Sequence, residues 1–299
     1  MKILIGVDGS PASLDAVRFA SRLVDPTNDA VAIYFSPLEL ERKLLGRSQR
    51  IVDGAAAALF EEACSLLPAG FARRPEMIAS SKTAAVGLLE SADGWRADML
   101  VVGARGHGVI DGFLLGSVSR AVLHGANLPV LVVRSPLPAD RGPRVLACHH
   151  PNSAAAIAGV LGGLHWSKDT AGTIIGVAES LLAGPLPSWL ERRVRDPDTQ
   201  AIAQAWKDEH DESVAALERS LVAFQASLPE AFRRRAPVVV QGNPGDKIVA
   251  QTKLDGTDLV VLGRTPSDSF TRWLLGSTSE AVLGQAAASA LIVPVEKKA

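Results

Sequence analysis

Asp98-Met99-Leu100-Val101-Val102-Gly103-Ala104-Arg105-Gly106-His107-Gly108 is an acid, an unbroken apolar run and a glycine-rich exit. At an offset of 160 the chain repeats it as Asp258-Leu259-Val260-Val261-Leu262-Gly263, and Leu114-Leu115-Gly116-Ser117 returns as Leu274-Leu275-Gly276-Ser277. The apolar runs Val130 to Val133 and Ala290 to Val293 keep that offset. Upstream, Lys2-Ile3-Leu4-Ile5-Gly6-Val7-Asp8-Gly9-Ser10-Pro11 corresponds to Arg144-Val145-Leu146-Ala147-Cys148-His149-His150-Pro151-Asn152-Ser153 at an offset of 142. The run Val31 to Phe35 corresponds to Thr173 to Val177 at the same offset. One structural plan is therefore used twice. The change of offset, 18 residues, places an insertion in the second copy between its second and third strands.

Within each copy, short runs rich in Val, Ile and Leu alternate with longer amphipathic stretches, the pattern of strand-helix-strand units. Runs without polar interruption suit strands covered on both faces, so each sheet is expected to be parallel. We expect a first domain over residues 1–135, a linker over 136–143 marked by Pro136, Pro138, Gly142 and Pro143, and a second domain over 144–299. Within the insertion, about residues 179–236, apolar positions Ile202, Trp206, Leu217, Leu221, Phe224 and Leu228 recur at mostly helical spacing. A helix from Asp198 to Leu228 that covers a sheet face is expected, with a partner-binding helix as the alternative.

Composition agrees with two ordinary domains. The chain has 299 residues, 47% hydrophobic and 21% charged, enough to build real cores. Lys+Arg 31 against Asp+Glu 32 leaves a formal charge of -1, which argues against nucleic-acid binding through a basic surface. No apolar run approaches the roughly 20 residues of a membrane span. The opening strand reaches Asp8 too soon for a secretion signal, so cytoplasmic residence is the expectation. Cys64, in an expected helix, and Cys148, in an expected strand, form no CxxC and read as buried thiols.

In an open parallel sheet, ligands bind beyond the carboxyl ends of the strands where the strand order reverses. Two strand exits carry suitable residues. Asp8-Gly9-Ser10 follows the first strand, and Asp8 could accept hydrogen bonds from a ribose hydroxyl or an exocyclic amine, or simply cap the helix ahead of Pro11. Gly103 to Gly108 follows the fourth, where glycines let backbone amides approach a polyphosphate. A helix start at Gly116-Ser117-Val118 would add unpaired amides and a positive dipole end, with the Ser117 hydroxyl capping the helix or donating to a phosphate. Arg105 supplies countercharge, and His107 lies within reach of the same anion.

Gly103, Gly106, Gly116 and Ser117 match the spacing Gly, two residues, Gly, nine residues, Gly, then Ser or Thr. Such a match arises by chance in about one chain in a hundred. With the Val7-Asp8-Gly9-Ser10 opening and the repeat, the chain resembles a tandem universal stress protein of the nucleotide-binding kind over nearly its whole length. The resemblance implies two Rossmann-like α/β domains, each a five-stranded parallel sheet with helices on both faces. It implies that Asp8, Gly9 and the end of the second strand near Phe35 hold the nucleoside of ATP. Gly103, Gly106 and the Gly116-Ser117-Val118 helix start would hold its phosphates, with or without Mg²⁺. Similar proteins associate through their last strands, so Val130 to Val133 is expected against Ala290 to Val293, and a homodimer through further association.

The second copy departs from the pattern: His150 replaces Asp8, Pro151 replaces Gly9, and Pro266 replaces Gly106 and has no amide hydrogen to donate. It is expected to be structural or to meet an unidentified protein partner. Adjacent strand residues face opposite ways, so His149 and His150 are read as structural rather than as joint metal ligands. Arg233-Arg234-Arg235 reads as a surface turn. A Walker-type loop needs a Lys after its last Gly, and no Gly-Lys pair occurs. The expected function is therefore ATP binding that alters partner contacts without turnover. The alternatives are a slow ATPase using Asp111, or a scaffold or carrier of another small ligand such as AMP or a lipid.

Overall fold

A computed structural model describes residues 1–37, 49–106, 115–178, 197–264 and 275–295. The first copy runs β1 (Lys2–Val7), α1 (Pro11–Ser21), β2 (Ala30–Phe35), α2 (Gln49–Ser65), β3 (Glu76–Ala79), α3 (Ala84–Trp95), β4 (Met99–Gly103), α4 (Ser117–Gly125) and β5 (Val130–Val133). The second runs β6 (Arg144–His149), α5 (Ala154–Gly163), β7 (Ala171–Ala178), α6 (Pro197–Ser227), β8 (Val238–Gln241), α7 (Pro244–Asp255), β9 (Leu259–Arg264), α8 (Ser277–Gln285) and β10 (Ser289–Pro294).

The two copies share one ten-stranded sheet, ordered β3-β2-β1-β4-β5-β10-β9-β6-β7-β8. Every pair is parallel except β5 with β10, where Leu131 lies opposite Leu291, Val132 opposite Ala290 and Val130 opposite Ile292. The expected meeting of the last strands is thus an antiparallel hydrogen-bonded seam. Pairing there removes two unprotected sheet edges, a standing hazard of open sheets.

Strand residues alternate between two apolar layers, as a period of two requires. Ile3, Ile5 and Val7 belong to one core with α1, α5 and the C-terminal part of α6. Leu4, Leu100 and Val102 belong to the other with α3, α4, α7 and α8. Each core runs across the seam, through Leu131 and Leu291 on one face and Val132 and Ala290 on the other. The acid that opens each repeat closes the amino end of the neighbouring first strand. Lys2 N–H donates to Asp98 (2.7 Å), and Arg144 N–H donates to Asp258 (2.8 Å). Asp258 also holds Arg141, from the segment between β5 and β6, by two bonds of 2.6 and 2.9 Å.

The inserted helix forms as expected, yet only its second half covers the sheet. Leu221, Phe224 and Leu228 are buried and Leu217 is partly so, whereas Ile202 is exposed. Trp206 lies outside the described side chains. Arg233 and Arg234 close the turn after α6: Arg233 Nε donates to the Leu228 carbonyl (2.7 Å) and Arg234 to the Lys168 carbonyl (2.6 Å). Cys148 is buried in β6 and Cys64 half-buried in α2, both as free thiols. No helix among the described residues is long and apolar enough to cross a membrane.

Candidate nucleotide site

The strand order of the first copy reverses between β1 and β4, and in open α/β sheets the carboxyl ends at such a point are where a ligand crevice forms. At the β1 end, Gly9 takes φ +80°, a conformation natural to glycine, and turns the chain into α1. Ser10, not Asp8, is the N-cap. Its hydroxyl accepts Ser13 N–H at 3.3 Å, and Pro11 follows at the first helical position. Asp8 braces this turn from outside, one carboxylate oxygen receiving Ser10 N–H (2.9 Å) and Ser10 Oγ–H (2.5 Å). The other oxygen faces the loop after β4, where a methyl group on Gly106 would stand 2.9 Å from it.

At the β4 end, the glycines have different reasons to be glycine. A methyl group on Gly103 would lie 2.7 Å from the Ala12 carbonyl oxygen and 2.9 Å from its carbon, so Gly103 admits the start of α1 against the strand. Gly106 instead lets the loop pass close to the Asp8 carboxylate. Ala104 ties the loop at both ends: its N–H donates to the Val133 carbonyl (2.7 Å), and its own carbonyl accepts Gly116 N–H (2.8 Å) and Ser119 Oγ–H (3.0 Å). The start of α4 is thereby held beside the β4 exit.

Gly116 is the N-cap of α4 with φ -65° and ψ 163°, and Ser117 stands inside the helix making no side-chain cap. The first-turn amides of α4 have no intrahelical acceptor and no side-chain cap among the described residues, and they carry the positive end of the helix dipole. Ser117 and Val118 are exposed. Arg120 follows in the first turn and Arg105 is half-exposed in the loop. Arg134, at the end of β5 beside Gly103 and Val133, adds a third cation. Burial, then the like charge of Arg105, depresses its pKa. Its place one residue beyond an apolar strand gave no motif to find it by. Phe35, at the end of β2, is buried opposite Val7 and Ala79. His107 and Asp111 lie outside the described residues. The described residues contain no cluster of three or more His, Cys, Asp or Glu able to hold a metal ion.

The second copy repeats the scaffold and changes the charges. His150 takes the turn-bracing place of Asp8, its Nδ1 accepting Asn152 N–H at 3.2 Å. Gly263 makes room for Ser153 as Gly103 does for Ala12. Gly276 starts α8 with φ -60° and ψ 152°, close to Gly116, but Glu280 occupies the first turn where α4 has Arg120. An acid there favours the helix and opposes an anion. His149 is buried against Phe224 (ring centroids 5.2 Å apart), its Nε2 2.9 Å from Ser220 Oγ, and burial depresses its pKa. Both histidines thus do structural work, on opposite sides of the strand end. Pro266 lies outside the described residues.

Two doubly wound parallel sheets joined through their last strands, each with a helix start beside a strand exit, define a tandem Rossmann-like α/β protein. A model of the universal stress protein family matches residues 1–134 and 190–294, and the chain belongs to that family. A universal stress protein of Mycobacterium tuberculosis H37Rv is 28% identical over 98% of this chain and 96% of its own length. Another from the same strain is 26% identical over 98% and 95%. The crystal structure of a universal stress protein from Archaeoglobus fulgidus shares the fold, with a TM-score of 0.62, 18% identity and coverage of 99% of this chain and 97% of that one.

Proposed function

We propose that the first copy binds an adenine nucleotide, with ATP the expected ligand, and that the protein acts in the stress response by binding rather than by turnover. One juxtaposition carries the reading: the Asp8 carboxylate faces the space kept by Gly106, while Ala104 holds the uncapped start of α4 beside the same strand exit. A carboxylate that accepts hydrogen bonds suits ribose or adenine donors. Amides at a helix start, with Arg105 and Arg120 nearby, suit phosphates. Main chain and cations hold a phosphate without acting as nucleophile or base, and this supports binding over turnover.

The second copy, with His150 for Asp8, Pro266 for Gly106 and Glu280 in the first turn of α8, serves architecture or a protein partner in this reading. Mass spectrometry of nucleotide released from natively purified protein, with calorimetric titration of ATP, tests both halves. We expect about one nucleotide per chain, lost in Gly106→Pro. Two per chain would refute the silent second copy, and no binding at saturating ATP would refute the nucleotide reading. Time-resolved ADP formation that Asp111→Ala abolishes would replace binding by hydrolysis.

A further inference from the structure

Helix α4 is held at both ends, and the two clamps come from different copies. At its start the Ala104 carbonyl takes Gly116 N–H and Ser119 Oγ–H. At its end, Arg264, the last residue of β9, reaches across the seam. Its guanidinium donates to the Leu123 carbonyl and, at 2.6 Å, to the Ala126 carbonyl. These are terminal carbonyls that the helix itself cannot satisfy, at the negative pole of its dipole. Burial lowers the Arg264 pKa, and helix carbonyls meet its charge.

The contact has a counterpart but not a repeat. Arg134 donates to the carbonyl of Leu283, the residue equivalent to Leu123, at the end of α8. Yet Arg264 occupies the place of Ala104 in the repeat, and Arg134 the place of Pro294. The residue that follows the glycine of β4 is a small one turned inward. The residue that follows the glycine of β9 is a cation sent to the other copy.

We infer that Arg264 of the second copy is a positioning residue for the anion site of the first, fixing the orientation of α4 so that the amides of Ser117 and Val118 face the crevice. This rests on the nucleotide reading above. α4 has nine residues, about 13 Å at 1.5 Å per residue, so a turn of its free end about the Ala104 anchor redirects the first-turn amides. Loss of the guanidinium also removes a positive charge that opposes the negative pole of a helix whose positive pole meets the ligand. The second copy thereby completes the first copy's site without touching the ligand.

The test titrates ATP into full-length wild type, Arg264→Gln, Arg264→Lys and Arg141→Gln. The last breaks the Arg141 pair with Asp258, which ties the segment between the copies to the other end of β9 and controls for general loosening. We expect Kd to rise about three- to tenfold in Arg264→Gln. The lysine variant, which keeps the charge but not the paired contact, should fall between it and wild type. Arg141→Gln should keep the wild-type Kd even where it lowers Tm. In the ligand-free protein, the amide NMR signals of Ser117 and Val118 should shift in Arg264→Gln and not in Arg141→Gln. Equal Kd values for wild type and Arg264→Gln, or equal losses in Arg264→Gln and Arg141→Gln, overturn the inference while leaving nucleotide binding intact. If Arg264→Gln does not fold, Arg264→Lys decides, a wild-type Kd overturning the inference. No saturable binding by wild type refutes the nucleotide reading itself, and the positioning role with it.

Discussion

Gly103 and Gly106 stand three residues apart in one motif, but the structure gives them separable roles, and alanine at each position should separate them. A methyl group on Gly103 meets the Ala12 carbonyl oxygen at 2.7 Å, its carbon at 2.9 Å and Ser13 N at 3.2 Å. All three are backbone atoms at the start of α1, whose Ala16, Val17, Phe19 and Ala20 are at most 1% exposed. An ordinary contact needs roughly half an ångström more, which α1 can yield only by sliding in a packed core. Overpacking of that kind costs about 1–3 kcal/mol, and we expect Gly103→Ala near the upper end. Among the described residues, a methyl group on Gly106 meets Asp8 Oδ2, at 2.9 Å, the far end of a side chain. Gly106→Ala should therefore lose less than about 1 kcal/mol of stability, while crowding the space assigned to the ligand. A tenfold weaker ATP affinity, about 1.4 kcal/mol, is the expected result. Urea denaturation and calorimetric titration of both variants give a crossed pattern: Gly103→Ala moves the denaturation midpoint more, Gly106→Ala moves Kd more. Equal effects of the two on stability, or an unchanged Kd in Gly106→Ala, would refute the assignment of one glycine to packing and the other to the site.

At the neighbouring strand exit, Gly9→Ala forces a Cβ into φ +80° and should destabilise by about 1–2 kcal/mol in thermal or chemical melts. Ser10→Ala removes the side-chain cap of α1 and should lose about 1 kcal/mol by the same measurement. His149 is held below its ordinary value by burial, so the folded chain keeps it neutral while the unfolded chain protonates near pH 6.5. Its contribution is full above that pH and is lost as pH falls through the depressed folded value. Between pH 7 and 5, Tm should therefore fall more steeply in wild type than in His149→Gln. Burial also pushes up both thiols, Cys148 the more strongly, so a thiol reagent should modify Cys64 slowly in native protein and Cys148 only after unfolding.

The duplication could be read from the chain because parallel strands buried on both faces leave long apolar runs. Two such runs at one offset, each followed by glycine, declare both the fold and the seam. The change of offset likewise announced α6, although its apolar spacing implied burial over more of the helix than the sheet can cover. Ile202 lies beyond the part that packs, and periodicity cannot say where a neighbouring sheet ends. The motif glycines could be found in the sequence, but their division of labour could not, because contact with Ala12 and proximity to Asp8 exist only once α1 and the β4 exit have met. The N-cap fell to Ser10 rather than Asp8, two residues that differ in no periodic signal. Arg134 and Arg264 were hidden for another reason. Each stands at the exit of an apolar strand, Arg134 just after β5 and Arg264 at the end of β9, and its acceptor lies 149 or 141 residues away in the other copy.

Those arginines bear on what the second copy does for the first. A separate first copy would expose the edge of β5, break apolar layers that continue through Leu131 and Leu291, and leave the last carbonyls of α4 to water. The second copy answers all three needs. Its own strand exit holds His150 as a turn brace, Glu280 in a helix start, and at position 264 a cation directed to the first copy. What duplication preserved is the pairing of sheets and the placing of helices. The residues that changed are those facing the crevice, where the backbone requires only a turn and a helix start.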